Sequence, residues 1–136
     1  MILKKNRGQL LKVLIVDDTL TNRVLAATIL EKRGHFVETA ENGAAAIEHL
    51  VKEDFDLVLM DVQMPVMSGI EAARIIRSSA SPVRRHDVPI FAVTAYAVGD
   101  GKRQCLNAGM NGFLTKPLKS DELIEIIERY ALETEL

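Results

Sequence analysis

Three short stretches, Val13-Leu14-Ile15-Val16, Leu57-Val58-Leu59-Met60 and Ile90-Phe91-Ala92-Val93, are apolar at every position and of strand length. A strand with one face in water alternates apolar with polar. One without alternation must be covered on both faces, which is the condition of a parallel sheet flanked by helices. Two further candidates complete the set, so the expected strands are Lys12 to Val16, Phe36 to Thr39, Leu57 to Met60, Ile90 to Thr94 and Phe113 to Thr115. Between them lie segments of helical periodicity, and this strand-helix alternation points to an α/β, doubly wound parallel (βα)5 sheet.

The first helix runs from about Leu20 to Arg33 and stops at Gly34, a residue suited to the left-handed turn after a helix end. The second starts near Asn42-Gly43 and carries Ile47, Leu50 and Val51; the third starts near Gly69 and buries Ala72, Ile75 and Ile76. In the last, Leu123, Ile126, Ile127 and Tyr130 share a face and Glu122, Glu125 and Glu128 turn outward, with Ser120 as N-cap. The fourth, around Lys102 to Ala108, has a thin apolar stripe between glycines and is expected to pack weakly. Ser78 to Asp87, with Arg84, Arg85 and His86, reads as a solvated loop.

The chain's 136 residues make one domain, 1–136, with residues 1–10 as an N-terminal extension. Seventeen Lys and Arg against nineteen Asp and Glu leave a net charge of -2, and Trp is absent. Neither a basic surface nor a stacking platform for direct nucleic-acid binding results. No apolar run approaches the roughly 20 residues of a membrane span, so no membrane partner is expected. Cys105 stands alone and reads as a small buried apolar residue, which fits a reducing, cytoplasmic setting. His35, His49 and His86 have no ligand-like spacing and read as surface residues.

In a doubly wound sheet, chemistry gathers at the carboxyl ends of the strands, beside the point where strand order reverses. Here those ends carry Asp17-Asp18, Asp61, Thr94 and Lys116. Singly, each reads as a turn, cap, strand or surface residue. Jointly they do not: in the flavodoxin-like order 2-1-3-4-5 the first and third strands are neighbours, so three carboxylates converge. At about 4 Å, two such charges repel by roughly 4 kcal/mol at an effective dielectric near 20. A cation is required, and oxygen-only ligands describe a Mg²⁺ site that keeps waters and awaits a phosphate oxygen. Lys116 would add a second positive charge.

The strings KVLIVDD, LVLMDVQMPVMSG, FAVTAYA and GFLTKP resemble, in order and over nearly the whole chain, the receiver domains of two-component response regulators. MDVQMP with CLNAGMNGFLTKP is most similar to the receivers of hybrid sensor kinases. The resemblance implies that Asp61 is the phosphoryl acceptor and that Asp17 and Asp18 hold Mg²⁺, which Mn²⁺ can replace. It implies that Gln63 gives its backbone carbonyl to the ion, and that Thr94, Phe113 and Lys116 are the switch hydroxyl, switch aromatic and phosphate-contacting lysine. Ser68 departs from the family, where many relatives have Asp, and Phe113 replaces a frequent Tyr. The implied partners are a histidine kinase or histidine phosphotransfer protein and a downstream protein target.

The expected reaction is in-line transfer from a phosphohistidine to Asp61, whose charge and exposure make it a usable nucleophile, followed by autodephosphorylation. The product switches the face made by the fourth helix, fifth strand and fifth helix. Gln63 and Tyr96 are expected at the mouth of the site, where they tune the lifetime of the phosphoryl group. Rivals are a haloacid-dehalogenase-type phosphatase, a flavodoxin-like cofactor binder and a receiver acting solely as an interaction module. The first lacks its second Asp, since Gln63 and Thr19 stand two residues after Asp61 and Asp17. Three acids at the switch point would repel the phosphate of the second, and the intact acids and lysine argue against the third.

Overall fold

The computed structural model describes residues 10–95 and 99–135. Strands β1 (Lys12–Val16), β2 (Phe36–Ala40), β3 (Leu57–Asp61), β4 (Ile90–Thr94) and β5 (Gly112–Thr115) alternate with helices α1 (Leu20–Lys32), α2 (Gly43–Lys52), α3 (Gly69–Arg77), α4 (Gly99–Asn107) and α5 (Ser120–Glu135). All strand pairs are parallel and the order is β2-β1-β3-β4-β5. This is the expected flavodoxin-like arrangement.

The three unalternating runs fill the middle of the sheet and separate two apolar layers. Leu14, Val16, Val58, Met60, Ile90 and Ala92 face α2 and α3 together with Cys105 and Ala108 at the end of α4. Val13, Ile15, Leu57, Leu59 and Val93 face Ala26 and Leu30 of α1 and Leu123 and Ile127 of α5. Each fully buried aliphatic side chain contributes about 1.5–3 kcal/mol, so these layers dominate the stability of the fold. Cys105 is buried, as expected.

Local chemistry sets the boundaries. Gly34 follows α1 at φ 91°, a conformation that costs a residue with a Cβ about 1–2 kcal/mol. Asn42 accepts from the Ala45 N–H at 2.8 Å and caps α2. Ser68 and Glu71 exchange side-chain and backbone bonds of 3.2 and 3.0 Å, a capping box that fixes the start of α3. Ser120 lies inside α5 instead of capping it; the helix opens with the Leu123 N–H bonded to the Lys119 carbonyl at 3.0 Å. α4 packs as thinly as expected, with only Cys105 buried within it.

Residues 78–87 form the expected loop, mostly exposed, and it is anchored at points: Val83 is buried and the Arg84 N–H donates to the Leu50 carbonyl at 2.9 Å. Arg85 Nη1 donates to the Phe55 carbonyl at 2.9 Å, and one apolar anchor thus holds a polar segment down. His35 is no surface residue. It is 5% exposed, and its Nδ1 accepts from the Leu11 N–H at 3.1 Å, tying the turn between α1 and β2 to the residue before β1. His49 and His86 are half-buried. Glu128, expected to point outward, bonds Arg33 at 2.7 and 2.8 Å and ties α5 to α1.

Candidate functional site

The parallel register carries the ends of β1 and β3 to one edge of the sheet, with Val16 opposite Met60 and Asp61 opposite Val93. Asp17 and Asp18 leave β1 there as Asp61 closes β3. One carboxylate oxygen from each of the three lies within 4.8 Å of the other two. Lys116, which follows β5 and precedes a cis peptide bond to Pro117, reaches across the sheet. Its Nζ is 3.0 Å from Asp61 Oδ1 and 3.8 Å from Asp17 Oδ2.

The acids are held very differently. Asp17 is 4% exposed, accepts from the Thr19 N–H at 2.8 Å, and lies 3.4 Å from Asn22 Nδ2 through both oxygens. Asp18 is exposed and meets only the Thr19 hydroxyl, at 3.4 Å, among the hydrogen bonds of the described residues. Asp61 is 1% exposed, which corrects the expectation of an exposed nucleophile. It terminates a central strand and is enclosed by neighbouring strand ends and the loop that follows. Burial raises its carboxyl pKa; the hydrogen bond from Lys116 opposes that shift, and the Asp17 charge reinforces it.

Asp61 Oδ1 takes Lys116 and, at 3.3 Å, the Gln63 N–H, whereas Oδ2 is buried with no hydrogen-bond partner among the described residues. Three carboxylates beside one ammonium leave a surplus of negative charge, and a buried orphaned oxygen costs about 1–3 kcal/mol or more. A hard divalent cation of the Mg²⁺ class, bound by few carboxylates and its own waters, answers both deficits. The residues present therefore fit such an ion.

Around this centre, Gln63 is exposed at the mouth, and Thr94 lines the same cavity of about 590 Å³ with Gln63, Met64, Ser68 and Gln104. Phe113, opposite Ala92 in the sheet, is half-buried under Lys102, whose Nζ is 5.5 Å from the ring centroid. Tyr96 lies outside the described residues, as do residues 1–9 of the expected extension. The loop after Asp61 is tightly made. Met67 N–H bonds the Pro65 carbonyl at 2.7 Å around Val66, an exposed β-branched residue at φ 72°. The capping box shows that Ser68 fixes this loop in its own way.

Sequence reasoning overlooked three residues. Asn22 and Arg23 approach Asp17 from the first turns of α1, and Gly69 lies against Asp61, where a Cβ would come within 2.2 Å of the Asp61 carbonyl oxygen. The signal for the first two was their position one helical turn beyond the acidic pair.

The family model "Response regulator receiver domain" matches residues 13–128. The chain belongs to this family. Among curated relatives, the receiver is 41% identical over 119 residues to the sensor protein GacS of Pseudomonas syringae pv. syringae, covering 88% of this chain and 13% of that protein. It thus corresponds to a small part of such a relative. Among solved structures, the receiver domain of the sensor histidine kinase PA1611 from Pseudomonas aeruginosa PAO1, described with magnesium coordinated in its active site cleft, is 34% identical with a TM-score of 0.79, over 90% of this chain and 98% of that one. The receiver domain of Ssk1, crystallised with the Saccharomyces cerevisiae histidine phosphotransfer protein Ypd1, appears in a structure that matches at 32% identity and TM-score 0.82, over 94% of this chain and 93% of that one. The receiver is a module of two-component and phosphorelay signalling. No helix among its described residues is long and apolar enough to cross a membrane.

Proposed function

We propose that this receiver accepts a phosphoryl group on Asp61 from a phosphohistidine on a histidine kinase or histidine phosphotransfer protein, with Mg²⁺, or Mn²⁺ in its place, held by Asp17, Asp18, Asp61 and the Gln63 backbone carbonyl. The observation that carries this reading is the buried Asp61, bonded by Lys116 at 3.0 Å and left with an orphaned oxygen inside a cluster of three acids. A carboxylate oxygen of Asp61 forms the new P–O bond as the donor's N–P bond breaks, and the departing imidazole nitrogen takes a proton. Lys116, anchored between two acids, presents its ammonium to the transferring oxygens. The bound cation supplies the remaining electrostatic stabilisation of those oxygens.

Thr94 then offers its hydroxyl to the new phosphate, and Phe113 follows it inward, remodelling the face of α4, β5 and α5 for a downstream protein. The phosphoryl group biases two pre-existing arrangements by its different interactions with each. Gln63 and Tyr96 tune water access and hence autodephosphorylation. Leu20, Val24 and Leu25, exposed on α1 just after the acidic pair, form the apolar patch on which the donor docks. A donor loaded from ATP places the exchange in the cytoplasm.

Acetyl phosphate or a small phosphoramidate tests the assignment. Labelling should require Mg²⁺ or Mn²⁺ and disappear in Asp61→Asn; equal labelling in EDTA, or stable label on the Asn variant, overturns it.

A further inference from the structure

Arg23 completes the first turn of α1, and its Nη1 donates to the backbone carbonyl of Asp17 at 2.7 Å. This carbonyl sits where β1 ends and the chain turns toward α1. The Asp17 N–H still extends the ladder to β2, bonding the Ala40 carbonyl at 3.1 Å. Its carbonyl bonds the guanidinium, and its carboxylate is bonded by Thr19 and contacted by Asn22. The residue is gripped by backbone and side chain, whereas Asp18, next in sequence, is exposed and weakly bonded.

We propose that Arg23 is a positioning residue for the divalent-cation site: through the Asp17 carbonyl it fixes the turn on which Asp17 and Asp18 are aimed at Asp61. The inference rests on the cation-site reading above. Physical reasoning supplies a test by sign. Arg23 is itself a cation beside an acidic cluster, so Coulomb's law alone says that removing it tightens Mg²⁺. Fixing the turn acts in the opposite direction, because an ion that needs a nearly octahedral shell binds more weakly to ligands that must first be ordered. Whichever effect dominates sets the direction of the change.

Geometry dominates on this reading. A charge-assisted bond of 2.7 Å holds the backbone of a cluster residue directly, while the guanidinium charge is already engaged with a carbonyl and half-exposed to screening water. Arg23→Met should therefore weaken Mg²⁺ by about three- to tenfold, at or below the low end of what loss of an outer-sphere partner does elsewhere. Arg23→Lys, which can still donate one bond to the carbonyl, should recover part of the loss.

The measurement is Mg²⁺ titration of the full chain by calorimetry, for the parent and both variants, alongside labelling by acetyl phosphate across Mg²⁺ concentrations. Half-saturating Mg²⁺ should rise in Arg23→Met by the same factor as the dissociation constant, with the rate at saturating Mg²⁺ nearly unchanged. Unchanged or tighter Mg²⁺ in a folded Arg23→Met chain overturns the positioning role and leaves the site reading intact. Absence of Mg²⁺ binding by the parent overturns both. If Arg23→Met does not fold, Arg23→Lys decides: a smaller weakening in the same direction supports the role, and parent-like or tighter binding overturns it.

Discussion

The residues that matter most at the site are separated by how completely their polar atoms are satisfied. Among the described residues, Asp17 is bonded through its N–H, carbonyl and carboxylate, Asp18 by one long contact, and Asp61 through one carboxylate oxygen only, so the demand for a cation is focused at Asp61 Oδ2. Gly69 keeps this arrangement compact: its N–H bonds the Val62 carbonyl at 2.9 Å while its missing side chain leaves room for the Asp61 backbone. A methyl there would lie 2.2 Å from the Asp61 carbonyl oxygen and 2.9 Å from Met60 Cγ. The first neighbour is backbone and cannot swing aside. Gly69→Ala should cost about 1–3 kcal/mol in urea unfolding and reduce Asp61 labelling at the same time. Parent-like stability would show that α3 can shift away from β3 at little cost.

Among elements, α4 contrasts with its neighbours because it buries so little of itself. Its far end is secured from outside. The Arg77 guanidinium, at the end of α3, donates to the carbonyls of Gly109 (3.0 Å) and His86 (2.6 Å) and to Asn111 Oδ1 (2.9 Å). Asn111 Oδ1 also accepts from the Ile90 N–H at 2.8 Å, so one side chain joins α3, the loop before β4, β4 itself and the turn between α4 and β5. Arg77→Met keeps much of the aliphatic stem and removes these bonds. It should destabilise the receiver by about 2 kcal/mol, the scale for losing hydrogen bonds to a charged group, and speed amide hydrogen exchange in residues 109–111. Unaltered exchange there would mean that Cys105, Ala108 and Met110 secure the turn without the guanidinium.

For the whole molecule, the pH dependence of stability carries the signature of a histidine at the α1–β2 turn. Burial lowers the His35 pKa; Glu128 opposes the shift and Arg33 adds to it. In the fold its Nδ1 must stay unprotonated to accept from Leu11 N–H, whereas in the unfolded chain the ring titrates near the ordinary value of about 6.5. Between the depressed folded value and about 6.5 the unfolded chain binds more protons, so stability rises with pH. His35 thus supports the fold fully above about pH 6.5, and that support is lost as pH falls below it, with a slope of at most about 1.4 kcal/mol per pH unit. Denaturant unfolding from pH 8 to 5 should show the parent losing stability relative to His35→Gln, and parallel curves would show that His35 does not titrate differently in the fold.

Much of this architecture was legible in the chain because its causes are local. Apolar runs without alternation demand cover on both faces, Gly34 and Asn42 mark helix ends through their own conformational and bonding preferences, and a parallel sheet gathers Asp17, Asp18, Asp61, Thr94 and Lys116 at one edge. What stayed hidden depends on partners distant in sequence. His35 is buried because Leu11, 24 residues away, needs its nitrogen; Glu128 reaches along the surface to Arg33, 95 residues away; and Val83 anchors a polar loop to the core. The enclosure of Asp61 belongs to the same class. Sequence alone placed the acids, since strand periodicity and chain order suffice for that. Only the tertiary structure decided which carboxylate is gripped, which is exposed and scarcely held, and which keeps an unsatisfied oxygen, because burial and hydrogen bonding are properties of the packed whole.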